Sequence, residues 1–287
     1  MTPTVKPFYD PATFTISYVL SDPASTACAI IDPVLDYDPN AARTGTHSAE
    51  AIAEYVRQQG LRVHWILETH AHADHLSAAD WLRHHLGGRV GIGVHIREVQ
   101  QRFGTLFGLD PAALTDDGFD HLFDDGEVFQ VGELPVQVLH TPGHTPACVS
   151  YLAGDALFVG DTLFRPDYGT ARADFPGGDA AQLHRSIQRL LALPPETRMF
   201  LCHDYPDEGA PPCWESTVGA QRRDNDWVGD SMTEAQFVRR RAERDRALPV
   251  PRLILPSLQV NIRGGQLPAP ADNGVAYLRL PLNQLGG

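Results

Sequence analysis

Four side chains able to ligate a metal fall within six residues, His70-Ala71-His72-Ala73-Asp74-His75, directly after Val63 to Leu67, which reads as a short buried strand. Imidazole and carboxylate groups suit zinc, iron and related divalent ions, and histidines two apart in an extended loop can converge on one ion. A fold that accommodates this segment must hold a loop at a strand end and bring further ligands to it. Ligand types do recur at later strand ends: His144 after Pro142-Gly143, Asp161 after Gly160, and His203 before Asp204. The plain alternative, a polar loop in a chain with 13 histidines, leaves that recurrence unexplained.

The surrounding pattern is that of an α/β protein. Phe14, Ile16, Tyr18 and Leu20 alternate as in a strand, Asp22-Pro23 marks a turn, and Ala27 to Val34 is a second apolar run. Ser48 to Gln59 carries helical spacing in Ala49, Ile52, Ala53 and Val56, with Gly60 as its C-terminal cap. Leu76 to Leu86 is expected to be helical and Val90 to Val94 a strand, whereas Phe119 to Val159 reads as a meander of short strands separated by turns. Residues 179–193 return to helical spacing, and Met199 to Cys202 forms one more strand. Beyond Tyr205 the chain is proline-rich, with a charged helix expected over Thr233 to Arg246 and an apolar stretch near Val275 to Leu280. The expected organisation is a catalytic core over residues 1–205 and an extension over 206–287 packed on it as part of the same domain.

A hydrophobic fraction of 43% and a charged fraction of 21% are ordinary for a globular chain with a sizeable core. The net charge of -13 disfavours nonspecific binding to nucleic acid or an anionic membrane, and an anionic substrate would need specific arginines. The four cysteines are scattered without a CxxC pair, no basic and apolar leader opens the chain, and no run of 18 apolar residues occurs, so a cytoplasmic protein with reduced thiols is expected. Cys28, Cys148 and Cys202 read as core, and His64, His84 and His85 as surface or satisfied histidines. Asp116-Asp117 and Asp124-Asp125 read as turns, and Arg239 to Arg241, interleaved with Glu234, Glu243 and Asp245, as a solvated helix face.

Thr69 to His75 (THAHADH), Thr141 to Pro146 (TPGHTP), Gly160 to Phe164 (GDTLF) and Cys202 to Tyr205 (CHDY), in that order, resemble the signature of the metallo-β-lactamase superfamily. The resemblance spans about residues 14–205 and implies an αββα sandwich with its site at one edge. In two-metal members the pattern assigns His70, His72 and His144 to one ion and Asp74, His75 and His203 to the other, with Asp161 between them. Such a layout serves hydrolysis, because a water shared by two cations is deprotonated near neutral pH.

Other segments are similar to persulfide dioxygenases: Arg172-Ala173-Asp174-Phe175, His203-Asp204-Tyr205, Ser216-Thr217-Val218 with Arg222 and Asn225, and Leu248 to Pro251 with Pro256, Asn261, Arg263 and Gly265. Glyoxalase II shares part of the arginine segment but carries a mostly helical C-terminal domain, which a proline-rich tail is expected to form poorly. Arg165 to Thr170 lengthens the loop after Asp161, and Asp226 to Thr233 has no counterpart in the pattern. The dioxygenase resemblance implies one Fe(II) held by His70, His144 and Asp161, with His72, Asp74, His75 and His203 as supporting or second-metal residues. It also implies glutathione persulfide and O2 as substrates, with sulfite and glutathione as products, and a homodimer. Arg172, Arg222 and Tyr168 are the substrate-binding candidates, and Asp174 and Asp204 the loop supports; Arg172 with Asp174 also reads as a purely structural pair. The competing expectations are a zinc thioester hydrolase resembling glyoxalase II, with one or two ions per chain, and a catalytically silent metal-binding module.

Overall fold

The computed structural model describes residues 2–109, 114, 118–229 and 232–285, so the Asp116-Asp117 pair lies outside the described residues. The first half of the chain runs β1 (Thr4–Asp10), β2 (Thr15–Ser21), β3 (Ala27–Ile31), β4 (Val34–Asp38), β5 (Arg43–Gly45), α1 (His47–Gln58), β6 (Arg62–Leu67), β7 (Leu76–Ser77), α2 (Ala79–Leu86), β8 (Arg89–Gly93) and α3 (Ile96–Phe107). It continues through β9 (His121–Phe123), β10 (Val128–Val131), β11 (Leu134–His140), β12 (Val149–Ala153), β13 (Ala156–Phe158), α4 (Ala180–Leu191) and β14 (Arg198–Phe200). The tail holds β15 (Glu215–Thr217), α5 (Val218–Asp224), α6 (Glu234–Asp245) and α7 (Ile254–Asn261).

Two six-stranded sheets, ordered β1-β2-β3-β6-β8-β9 and β10-β11-β12-β13-β14-β15, face each other. Strand alternation explains the layering: Tyr18 and Leu20 point inward against Val136, Val138, Tyr151 and Phe158 of the second sheet, while Val19 between them points outward. The outward face, with Cys28, Ile30 and Ile66, is covered by Ile52, Ala53 and Val56 of α1. On the far side, Leu183, Ile187 and Leu190 of α4 and Phe237 of α6 cover Leu157, Val159 and Met199. The result is the expected αββα sandwich, in which each fully buried large apolar side chain contributes about 1.5 to 3 kcal/mol.

Several elements differ from the sequence reading. β1 and α3 were not expected, although Ile96, Val99, Phe103 and Phe107 carry helical spacing. Leu76 and Ser77 are extended because they pair with β4, and the helix begins only at Ala79. The meander is split between the sheets, since β9 joins β8 in parallel while β10 to β13 build the second sheet. In the tail, the charged helix expected over Thr233 to Arg246 is present as α6, while the short helices α5 and α7 were not expected. Pro249 and Pro251 precede α7, Pro256 sits in its first turn where a missing N–H is tolerated, and α6 contains no proline and is opened by a capping box between Thr233 and Gln236. α7 lies beneath the histidine-rich loop: Ile254, Leu258 and Ile262 pack with Ala71, Ala73, Ile96 and Phe103. Among the described residues no helix is long and apolar enough to cross a membrane.

Candidate metal centre

Every ligand-type residue singled out from the sequence follows a strand, and these strand ends meet at one edge of the sandwich. His70 to His75 follow β6, His144 follows β11, Asp161 follows β13 and His203 follows β14. Two backbone contacts sew the sheets together there: the Ile16 N–H donates to the Cys202 carbonyl at 2.7 Å and the Val149 N–H to the Thr69 carbonyl at 2.9 Å. Glycines precede two ligands for steric reasons. Gly143 has φ +138°, and a Cβ there would lie 2.2 Å from the Leu183 backbone nitrogen; Gly160 has φ +51°, and its Cβ would lie 2.6 Å from the Thr69 hydroxyl oxygen.

The structure gathers His70, His144 and Asp161 into one group whose potential ligand atoms lie within 4.8 Å of one another, and His72, Asp74 and His75 into another. Asp161 reaches from the first group to His203, which adjoins Asp74 of the second. Its Oδ2 is 4.0 Å from His70 Nε2 and 3.6 Å from His144 Nε2, while Oδ1 is 3.3 Å from His203 Nε2, which in turn is 3.4 Å from Asp74 Oδ2.

The hydrogen bonds fix which nitrogen of each ring faces the centre. Thr69 donates its hydroxyl proton to Asp32 at 2.9 Å and so accepts from His70 Nδ1–H at 3.0 Å, leaving His70 Nε2 as a free lone pair. His144 Nδ1–H donates to the Arg172 carbonyl at 2.8 Å, and His203 Nδ1–H to the Phe14 carbonyl at 3.2 Å. His72 Nε2–H donates to Asp32 at 3.0 Å, which turns Nδ1 inward. Among the described residues, the buried atoms His70 Nε2, His72 Nδ1, His75 Nε2 and Asp161 Oδ1 find no hydrogen-bond partner. The His70 and His75 lone pairs and the Asp161 oxygen converge with no proton between them and repel, and a cation is what this donor set fits. His70, His144 and Asp161 could thus hold one ion, with donors nearby for a second.

Charge beneath the loop is organised by two buried acids that the sequence reading did not single out. Asp32, in left-handed backbone at φ +49°, accepts from the Thr69 N–H at 2.7 Å as well as from His72, and Glu68 lies 3.5 Å from His72. Burial alone would lower the His72 pKa, but Asp32 and Glu68 reverse this and hold it well above its ordinary value. Burial holds His70 well below its ordinary value, helped by the neighbouring His72 and His144, so this ring is neutral and ready to ligate. Burial would raise Asp74, but His203 and His75 hold it well below the usual carboxylate range. Asp32 sits at the end of the apolar run Ala27 to Val34; a lone acid in such a run was the available signal.

The tail supplies a third missed residue. Asn261, buried at the end of α7, donates to the carbonyls of His72 at 2.8 Å and His75 at 2.7 Å and accepts from the Ser77 N–H at 2.7 Å. It pins the ligand loop from below.

A cavity of about 290 Å³ opens beside His144, Asp161 and His203. Tyr168 lines it, as does Arg172, but the guanidinium of Arg172 is engaged: it forks onto Asp174 at 2.5 and 2.7 Å and donates to the Pro249 carbonyl at 2.7 Å. Arg222, on α5, is not among the cavity's lining residues. Asp204 accepts from the Cys213 N–H at 2.6 Å and lies 3.4 Å from Arg165, which anchors the loop after Asp161. Cys202 is buried with its thiol pKa pushed well above the ordinary value by desolvation, so it is no nucleophile.

Comparison with known proteins adds the family. A β-lactamase hydrolase-like protein of Agrobacterium fabrum is 52% identical over 99% of this chain, which spans only 66% of that protein's length. Glyoxylase B2 of Dictyostelium discoideum is 45% identical over 93% of this chain and 92% of its own. The mitochondrial persulfide dioxygenase ETHE1 of Bos taurus is 29% identical over 70% of this chain and 68% of its own. Among solved structures, ETHE1 from Myxococcus xanthus superposes with a TM-score of 0.74 at 28% identity, covering 92% of this chain and 100% of that one. Residues 12–203, which hold every residue of both ligand groups, match the metallo-β-lactamase superfamily, and the chain belongs to that superfamily as a metal-dependent enzyme.

Proposed function

We propose that this chain is an Fe(II)-dependent persulfide dioxygenase that converts glutathione persulfide, O2 and water into glutathione, sulfite and two protons. The observation that carries this reading is the tail. The likeness to ETHE1 from Myxococcus xanthus covers 92% of this chain, well past the catalytic core, and the tail is built into the site through Asn261 and the Pro249 carbonyl. His70, His144 and Asp161 form a two-histidine, one-carboxylate set, and iron held there would supply open coordination positions for O2 and a substrate sulfur.

The protein's own part is placement. Thr69 and the Arg172 carbonyl orient the two histidines so that only lone pairs face the centre. Phe164, Tyr168 and Tyr205 wall the cavity and limit water beside the ligands. His203 and Asp74, on the opposite side of Asp161, present a lone pair and a carboxylate that can accept the proton of an incoming persulfide or water.

A second reading, a two-zinc hydrolase of glutathione thioesters, is favoured by a specific observation. One carboxylate, Asp161, faces both ligand groups, and the relatives at 52% and 45% identity carry the names β-lactamase hydrolase-like protein and glyoxylase B2. The test is oxygen uptake and sulfite release with glutathione persulfide by anaerobically iron-loaded protein, set against hydrolysis of S-lactoylglutathione by zinc-loaded protein. Oxygen uptake with one iron per chain supports the dioxygenase; efficient thioester hydrolysis with two metals and no oxygen uptake overturns it. Absence of both reactions would favour a silent metal-binding module.

A further inference from the structure

Three arginines line the cavity, and two of them are engaged. Arg172 is held by Asp174 and Pro249, as described. Arg241 is buried; its Nε donates to Asp245 at 2.8 Å and another of its nitrogens to the Thr170 carbonyl at 3.0 Å. Burial lowers the Arg241 pKa, Asp245 works against that, and the nearby charge of Arg244 adds to the lowering. Arg244, one turn along α6, is exposed, lines the cavity, and among the described residues makes neither an ion pair nor a side-chain hydrogen bond.

Aromatic side chains line the same cavity beside the ligands. Tyr205 stacks on His203 with ring centroids 6.1 Å apart, and Tyr168 stacks on Tyr205 at 4.7 Å. Trp227 lines the same cavity with the Arg240 and Arg241 guanidinium groups over its ring at 4.0 and 4.7 Å. The cavity therefore has metal ligands at its floor, an apolar wall and one unneutralised guanidinium. In a chain of net charge -13, long-range attraction works against an anion, so a local cation with its hydrogen bonds unused must do the recognition.

We propose that Arg244 is the carboxylate-recognising residue of this cavity, gripping a carboxylate that the thiol-derived substrate bears at the end remote from its reacting sulfur. The proposal rests on the reading above only in taking the substrate to be a thiol derivative. The planar fork of a guanidinium matches a carboxylate in two parallel hydrogen bonds, which lysine cannot reproduce. Arg244 sits on α6, the charged helix that follows the Asp226 to Thr233 segment without a counterpart in the dioxygenase pattern.

The experiment uses the iron-loaded full chain with two substrates, glutathione persulfide and the carboxylate-free persulfide of N-acetylcysteamine. Arg244→Gln should raise KM for glutathione persulfide about tenfold with kcat changed less than about twofold, and leave KM for the carboxylate-free substrate unchanged. Arg244→Lys should restore part of the loss. Arg223→Gln, which removes the same charge from a surface pair with Asp224, should change neither. An unchanged KM for glutathione persulfide, or an equal rise for both substrates, would overturn the proposal. If the wild type takes up no oxygen with either persulfide, the dioxygenase reading fails separately. Arg244 is then judged on S-lactoylglutathione hydrolysis or, without turnover, on calorimetric binding of S-methylglutathione. In those assays about tenfold weakening supports the assignment, and equal behaviour of variant and wild type, or no binding by either, removes it.

Discussion

The floor and the wall of the cavity are built in opposite ways. At and beneath the floor, which His144, Asp161 and His203 line, the rings of His70, His72, His75 and His203 are buried, and each ring nitrogen that faces away from the centre is held by a backbone carbonyl, hydroxyl or carboxylate. The wall is assembled from the loop after Asp161, the segment around Trp227, α6 and the Leu248 to Pro251 strap, and it includes exposed groups such as Tyr168 and Arg244. Buried, cross-braced groups tolerate little change, whereas a wall of separate segments can be altered without dismantling the metal site. The floor is therefore expected to govern reaction type and the wall the choice of substrate.

The strongest test of that division is Asp161→Asn. It removes the carboxylate that faces both ligand groups, so metal content and turnover should fall together by on the order of a hundredfold or more while the apo-protein still unfolds cooperatively. Metal analysis alongside oxygen uptake checks this, and wild-type turnover would remove Asp161 from the centre.

Asn261→Leu should come next. It strands the His72 and His75 carbonyls and the Ser77 N–H in the interior, at about 2 to 4 kcal/mol of stability, and should weaken metal binding roughly 10- to 100-fold. Denaturant unfolding and chelator competition measure the two effects. Unchanged metal affinity would show that the ligand loop stands without the tail.

A third test concerns protons. Because Asp32 and Glu68 hold the His72 pKa well above its ordinary value, His72 carries a proton at pH 7 in the metal-free chain. The stabilisation from this pairing is complete below the unfolded histidine value of about 6.5 and is lost as pH rises through the raised folded value. An ion that uses His72 must displace that proton, releasing about one per chain at pH 7, whereas an ion confined to His70, His144 and Asp161 need not. Calorimetry in buffers of different ionisation enthalpy separates the one-metal arrangement from one that recruits His72.

The smallest effect is expected for Arg172→Ala. Its partner Asp174 is partly exposed, so the loss should be about 1 kcal/mol or less, a few degrees in Tm, with KM changed less than about threefold. A tenfold rise in KM at unchanged stability would return Arg172 to the substrate.

The same division governs what could be read from the sequence. Strand alternation and glycine-marked turns placed the ligand residues at strand ends, because each depends on neighbours in the chain. The local spacing of Arg172 and Asp174 already offered a structural pair. Asp32, Glu68 and Asn261 were hidden because their partners lie far off in sequence or arise only when loop and tail are folded together. Arg244 lay in a charge-rich helix whose pattern reads as a solvated face, and only the fold turns one side of that helix into a cavity wall. Among the tail helices α6 was legible from its charged pattern, whereas α7 was obscured by the prolines around it, since position within a helix, and not the number of prolines, decides the outcome.

The Asn261 clamp also orders events in time. It reaches back 186 residues to the His75 carbonyl, so during synthesis the histidine loop leaves the ribosome long before the residue that braces it. A nascent chain passes through a stage with its ligands made but unbraced, and firm metal capture is expected only once α7 has docked. Metal loading is therefore expected to wait for α7, and a chain cut short before α7 should reach that stage and go no further.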